Sequence, residues 1–350
     1  MTVAHKEGFI ETPLLTDAPL VLPRGGEHNA LSTQPLREQD VVSPESVRYA
    51  LDEVSWQSAV SHEPHPPLKN PEDNAVTVNT FTQTAAAIDW YCEVRGNGPP
   101  LVLVPSGEGD CASFDQVAHT LADAFTVLTF DMPGFSRSNA PPQFAHVTPH
   151  MLATQVAALV ESLHLAPATF YGCSSGGQAV LSLVADYPEI VRNILVHEAA
   201  VLNDLDGVWR ERIDDWFVQM NRLDDAGIVQ TCQELFRHGY NDKPEAWDQL
   251  GAAYHQRLEQ NYVTWVRHYL HPDGVASRSY SAAELSTKPI AWSVGGFSEV
   301  WRRSGDFKTA QRARIAIDIL PCKHFPQVSI PEVLAQHIRD HTTKHVGSSA

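Results

Sequence analysis

The chain has 350 residues, 43% of them hydrophobic, enough for one large α/β domain or two ordinary ones with a substantial core. A formal net charge of −17 leaves no basic face to displace counterions from nucleic-acid phosphates or to dock on an anionic membrane. Cys92, Cys111, Cys173, Cys232 and Cys322 are scattered, odd in number and form no C-x-x-C, which argues against a disulfide framework or zinc site and fits a reducing, cytoplasmic compartment. No basic segment followed by an apolar one marks a secretory signal, and no apolar run approaches about 18 residues, so no membrane span is expected.

Residues 1–75 are Pro-rich, carry Gly25-Gly26 and His62-Glu63-Pro64-His65-Pro66-Pro67, and show little periodicity. They read as a largely irregular extension, interrupted by a short helix over Val47–Val54 behind Ser43-Pro44-Glu45. From Val76 strands and helices alternate. Val76–Thr84 and Ile88–Val94 form an expected hairpin pair, and Pro100–Pro105 is an unbroken apolar strand of the kind buried in parallel sheets. A helix over Phe114–Ala124, a strand over Thr126–Phe130 and a helix over Pro149–Leu165 follow. Ala168–Tyr171 is a strand, Gln178–Ala185 a helix and Val191–Val196 a strand. Residues 200–285 then form a helical insertion with amphipathic segments at 206–223, 226–238 and 245–270. Strands at Ile290–Val294 and Ala313–Leu320 and a helix at Pro331–Lys344 close the chain. This alternation predicts a mostly parallel sheet with helices on both faces (76–199 and 286–350), with residues 200–285 as a lid over its C-terminal edge.

The most informative motif is Gly172-Cys173-Ser174-Ser175-Gly176, placed between the strand at 168–171 and the helix that follows. A G-x-S-x-G on a strand-to-helix turn holds its serine in a strained conformation with the hydroxyl exposed at the top of the sheet, which makes Ser174 a candidate nucleophile. The arrangement resembles the α/β-hydrolase fold, where the acid and then the His follow the Ser in chain order. His324, on the loop after the last strand, is the candidate base. Two carboxylates compete to orient it. Glu198 lies at the end of a buried strand, where a carboxylate is costly without a partner, while Glu299 lies one strand later in a loop or first helical turn. Position favours Glu198. The oxyanion donors are the N–H of Ser175 and that of Gly107, in the loop Ser106-Gly107-Glu108-Gly109-Asp110 after the strand ending at Pro105.

Other residues read as structural. Asp131-Met132-Pro133-Gly134 is a turn, and strand alternation turns His197 away from Glu198. Among the insertion's aromatics, Trp265 is the best candidate for a substrate contact through ring stacking or its indole N–H. No phosphate loop or ligand cluster is visible, so neither cofactor nor metal is expected.

The resemblance extends to a family. Ile88-Asp89-Trp90-Tyr91, Leu101–Gly107, Thr129–Gly134, Gly172–Gly176, His197-Glu198 and His324-Phe325-Pro326, with Glu245-Ala246-Trp247, Asn261-Tyr262 and Trp265 in the insertion, resemble the zearalenone lactonases over about residues 78–345. Glu at the 198 position together with the insertion motifs is the most specific part of the match. The resemblance implies a cofactor-free serine hydrolase that opens a macrocyclic lactone of the resorcylic acid class, and a homodimer. By match Ser174 is nucleophile, His324 base, Glu198 the orienting acid and Trp265 a substrate contact. The chain departs from the family pattern at Ser106, where the family has Asp, and at Ala200, where it has Pro, and the first helix of the insertion diverges. Ser106 is therefore a candidate pocket residue. Competing expectations are a general carboxylesterase, a C–C bond hydrolase, or a small-ligand-binding protein with an idle triad.

Overall fold

A computed structural model describes residues 76–141, 144–271 and 278–346, all within the unit Lys69–Ala350. The expected N-terminal extension and its helix at 47–54 lie outside the described residues. Eight strands form one sheet: β1 (Val78–Ala85), β2 (Ile88–Arg95), β3 (Pro100–Val104), β4 (Thr126–Phe130), β5 (Ala168–Cys173), β6 (Val191–His197), β7 (Ile290–Gly295) and β8 (Ile317–Leu320). Their order is β1-β2-β4-β3-β5-β6-β7-β8. The β1–β2 and β2–β4 pairs are antiparallel and the rest parallel.

Chain order reverses around β3, which pairs with β4 on one side and β5 on the other. A crevice at the C-terminal ends of the strands opens at such a switch point. The loops after β3 and β5 therefore meet there, and these are the loops carrying Gly107 and Ser174. Every residue of β5 is buried and four of five in β3, as expected of strands covered on both faces.

The covering helices follow from local signals. Helix α1 spans Asp115–Leu121 and α2 spans Pro149–Ser162. The latter begins where the Thr148 hydroxyl accepts the Met151 N–H at 3.2 Å and Pro149 takes the first turn. Leu152, Val156, Leu159 and Val160 then recur at helical spacing and are buried. Helix α3 (Ser175–Asp186) buries ten of its twelve residues beneath the sheet's crest.

Between β6 and β7 the insertion contains α4 (Gly207–Arg222), α5 (Asp225–Glu234), α6 (Pro244–Asp248), α7 (Ala252–Thr264) and α8 (Ala282–Leu285), with π-turns at Leu235–Gly239 and Trp265–Tyr269. The single amphipathic stretch expected over 245–270 is broken at Gly251, whose φ of +92° interrupts the helix. Helix α9 (Val300–Ala313) extends the helical start that was one reading of the stretch at Glu299, and its length was not legible: only five of its fourteen residues are buried, so its apolar periodicity is weak. The strand expected over Ala313–Leu320 shortens accordingly to β8, because Arg314 ends α9 with a φ of +57°. Helices α10 (Pro326–Ser329) and α11 (Pro331–Val346) complete the chain. Among the described residues no helix is long and apolar enough to cross a membrane.

The turn from β5 into α3 is closely packed backbone to backbone. A Cβ at Gly172 would lie 2.3 Å from the Gly176 carbonyl oxygen, and one at Gly176 would lie 2.5 Å from the carbonyls of Val104 and Pro105. Gly172→Ala should lower stability by about 2 kcal/mol or more, read as a reduced urea midpoint, because the neighbour that must give way is backbone.

Candidate active site

Ser174 sits between β5 and α3 with φ +54° and ψ −119°, a conformation costly for any residue with a side chain. Its N–H is shared between the carbonyls of His197 (3.1 Å) and Glu198 (3.2 Å), which ties the elbow to the end of β6. The first N–H groups of α3, beginning with Ser175, have no partner within the helix and point out of its N-terminus.

Glu198 follows β6 with a positive φ of its own (+41°) and is fully buried. Both carboxylate oxygens are used. Oε1 accepts the Gly295 N–H at 2.8 Å, and Oε2 lies 2.6 Å from His324 Nδ1. His324, on the loop between β8 and α10, is also buried, and the Cys173 thiol donates to its carbonyl at 3.1 Å, which joins the His loop to the strand ahead of Ser174. Burial opposes ionisation of Glu198, but the His324 hydrogen bond and charge outweigh it and bring the carboxyl down to about 2. Burial holds His324 below its ordinary value although Glu198 pulls the other way. The pair is thus an ionised carboxylate and a neutral imidazole, with the proton assigned to Nδ1 and Nε2 left as the basic atom.

The structure thus brings together Glu198 and His324. The competing carboxylate, Glu299, instead lies at the N-terminal boundary of α9, makes no capping bond and pairs with Arg302 at 3.3 Å. His197 is buried with Nδ1 at 3.0 Å from the Ser293 hydroxyl, and burial holds it neutral, down to about 4.

The loop after β3 is fastened from both sides. A Cβ at Gly107 would lie 2.6 Å from Trp265 Nε1, so the indole lies directly on this glycine. Asn261 of α7 donates to the Glu108 carbonyl and the Ser136 hydroxyl (2.8 Å each) and accepts the Ser136 N–H at 2.8 Å. Asp110, fully buried, receives Arg257 of α7 at 2.6 Å, the Ser136 hydroxyl at 2.7 Å and Arg137 at 3.2 Å. Burial resists its ionisation, but these donors, Arg257 first, hold it below the usual carboxylate range. Asp131 accepts Arg137 at 2.7 Å and the Cys111 N–H at 2.9 Å. Arg137 and Arg257 supply the positive charge for the Asp110–Cys111–Asp131 cluster, so this grouping needs no metal ion.

Several buried polar atoms around this loop have no protein hydrogen-bond partner: Ser106 Oγ, Glu108 Oε2 and Trp265 Nε1. Trp265 Nε1 lies against Gly107, and Ser106 is the residue before that glycine in the chain. The Trp265 ring continues into an aromatic cluster through Phe236 (5.2 Å) and Phe325 (5.5 Å from Phe236), while Tyr240 packs on His324 at 4.8 Å.

Three buried acids escaped sequence reasoning. Asp110 joins the Arg cluster, and the Ser113 hydroxyl donates to Glu108, whose carboxyl burial pushes up to about 7. Asp306 accepts the Ala199 N–H (2.8 Å) and the Trp292 indole (2.9 Å), and burial followed by the charge of Glu198 pushes it up to about 8. No sequence signal marks Asp306, because it lies on a polar helix and reaches Ala199 only through the fold.

Sheet order, elbow and buried His–Glu pair define an α/β hydrolase, and the family described as alpha/beta hydrolase fold matches residues 99–231. The chain is 35% identical over 266 residues to a zearalenone hydrolase of Bionectria ochroleuca, covering 75% of this chain and 97% of that one. It is 36% identical over 267 residues to a zearalenone hydrolase of Cladophialophora bantiana, covering 75% and 96%. A thermophilic esterase from Thermogutta terrifontis shares the fold with a TM-score of 0.60 at 21% identity, over 76% of this chain and 99% of that one. The chain belongs to the zearalenone hydrolase family and is a hydrolase.

The charge states make a pH prediction. An unfolded Asp306 titrates near 3.8, whereas the folded one keeps its proton up to about 8. Between those values unfolding releases a proton, so the stability this group allows falls as pH rises. Asp306→Asn, neutral throughout, should gain stability relative to the parent between pH 5 and pH 8, measured by urea denaturation at both.

Proposed function

We propose that the protein is a serine hydrolase that opens the macrocyclic lactone of zearalenone-like resorcylic acid esters. The observation that carries this reading is the buried His324–Glu198 hydrogen bond of 2.6 Å beside the strained backbone of Ser174. The names of the two relatives supply the substrate class.

In this reading His324 Nε2 takes the Ser174 hydroxyl proton as Oγ attacks the lactone carbonyl. The imidazolium that forms is held by the ionised Glu198, which also fixes the ring's orientation through Nδ1. The carbonyl oxygen becomes an oxyanion received by the N–H groups of Gly107 and Ser175, and each such donor is worth about 10²–10³-fold in rate. Collapse breaks the ring C–O bond, and His324 returns its proton to the departing oxygen. The chain of the opened ring stays attached as an acyl-enzyme. Water, deprotonated by His324, then attacks the acyl carbon and releases Ser174, so that lactone plus water gives one hydroxy acid.

The insertion at 200–285 acts as the lid. Trp265 supplies an apolar face and an indole N–H, and Ser106 a hydroxyl, for the substrate's polar groups. The cleft abutting Ser175, lined by Val147, Leu152, Gln178 and Tyr269, measures about 10 Å³, the room for one water. The family resemblance also points to a homodimer of this chain that works without a cofactor.

Ser174→Ala should reduce turnover about 10³-fold or more while leaving the fold intact, and a fluorophosphonate probe should label the parent at Ser174 and not the variant. Labelling elsewhere, or retained turnover, would overturn the assignment. Turnover of zearalenone should exceed that of short aryl esters in kcat/KM. Activity confined to short esters would remove the macrolactone reading but keep the serine hydrolase, and an unlabelled, inactive protein would point to a ligand-binding role.

A further inference from the structure

We propose that Asp318, His337 and His341 form a binding site for one divalent transition-metal ion, with zinc favoured, and that the ion braces the segment bearing His324. Asp318 lies on β8, the edge strand of the sheet, and the two histidines lie on α11. Residues four apart on a helix share one face, so the His337 and His341 rings stand together, with centroids 4.6 Å apart. The fold adds the carboxylate: His341 Nε2 lies 3.1 Å from Asp318 Oδ2. One ligand atom from each of the three residues lies within 4.8 Å of the others.

Zinc binds imidazole nitrogen and carboxylate oxygen at about 2.0–2.2 Å in a tetrahedron, which spaces ligand atoms about 3.3 Å apart. The His341–Asp318 edge already has this span. The other ligand-atom distances lie within 4.8 Å, and a bound ion would draw them in to this span. Two imidazoles and one carboxylate suit zinc, nickel and copper and do not suit magnesium or calcium, which take oxygen ligands. Three protein ligands leave one position for water. The sequence contains the helical half of the site, His-x-x-x-His, but nothing in it ties Asp318 to that pair.

The consequence for the fold is specific. The chain from Asp318 to His337 runs through His324 and α10. An ion shared by Asp318 and the two histidines joins the two ends of that stretch, so the loop presenting the base is closed at its root as well as held by the Glu198 hydrogen bond. This inference stands apart from the proposed hydrolysis, because the site uses none of its residues.

The test uses the full chain, free of any affinity tag and stripped with EDTA, titrated calorimetrically with ZnCl₂ and followed with Co²⁺ by visible absorption at pH 7.5. One equivalent should bind, with the intense visible bands of low-symmetry four-coordinate cobalt, and Zn²⁺ should raise the melting temperature by a few degrees. His337→Ala/His341→Ala and Asp318→Asn should each weaken binding about tenfold or more and remove the thermal shift, while metal-free melting and hydrolysis stay at parent levels. Unchanged affinity in the double His variant would overturn the site, placing the ion on others of the 17 histidines. Absence of binding at millimolar Zn²⁺ would also overturn it. Binding at these residues with no thermal shift would overturn the bracing role.

Discussion

The site depends on one backbone group. The N–H of Ser174 reaches two carbonyls at the end of β6, and it can do so only because Ser174 adopts a φ of +54° that a serine would otherwise avoid. Packing holds the residue there. Gly172 and Gly176 let the elbow press against its own turn and against the end of β3, with no room for a methyl group at either position. Once that is in place, the ends of β3, β5 and β6 are locked together, and the residues that follow them are brought to the same point of the crevice.

Electrostatics then separates groups that look alike in sequence. Glu198, Asp306 and Glu108 are all fully buried acids near the crest of the sheet. Glu198 is ionised because His324 and the Gly295 N–H satisfy both of its oxygens. Asp306 and Glu108 each have one oxygen without a protein partner, and burial pushes both carboxyls upward, to about 8 and about 7. A single charge is thereby placed next to the imidazole. Keeping Asp306 protonated also avoids a second negative charge beside Glu198, which two buried carboxylates would not tolerate.

The insertion is tied to the loop after β3 by directional contacts. Arg257 and Asn261 lie four residues apart on α7 and so project from one face, where they meet Asp110, the Glu108 carbonyl and Ser136. Trp265 follows four residues later and rests on Gly107. The loop after β3 and the insertion are therefore positioned as one unit. This is why the Asp131 turn, which reads as structural in the sequence, bears indirectly on the site: its Arg137 and Ser136 are shared with Asp110 and Asn261.

The sequence by itself determined the strand and helix alternation, the elbow, and the candidate set Ser174, Glu198, His324, Gly107, Ser175 and Trp265. These are local features: apolar runs that need burial on both faces, glycines that permit close approach, and a polar residue stranded at a strand's end. It gave no more than a possible start of α9 at Glu299, because the helix's few buried positions leave no clear periodicity, and it read through the break at Gly251 because the flanking residues are good helix formers. Tertiary structure alone decided that Glu198 rather than Glu299 meets His324, that burial raises the Asp306 and Glu108 carboxyls, and that Asp318 lies beside His337 and His341. Each of those outcomes depends on which groups, far apart in the chain, share a low-dielectric or crowded space, and a linear pattern carries no measure of that distance.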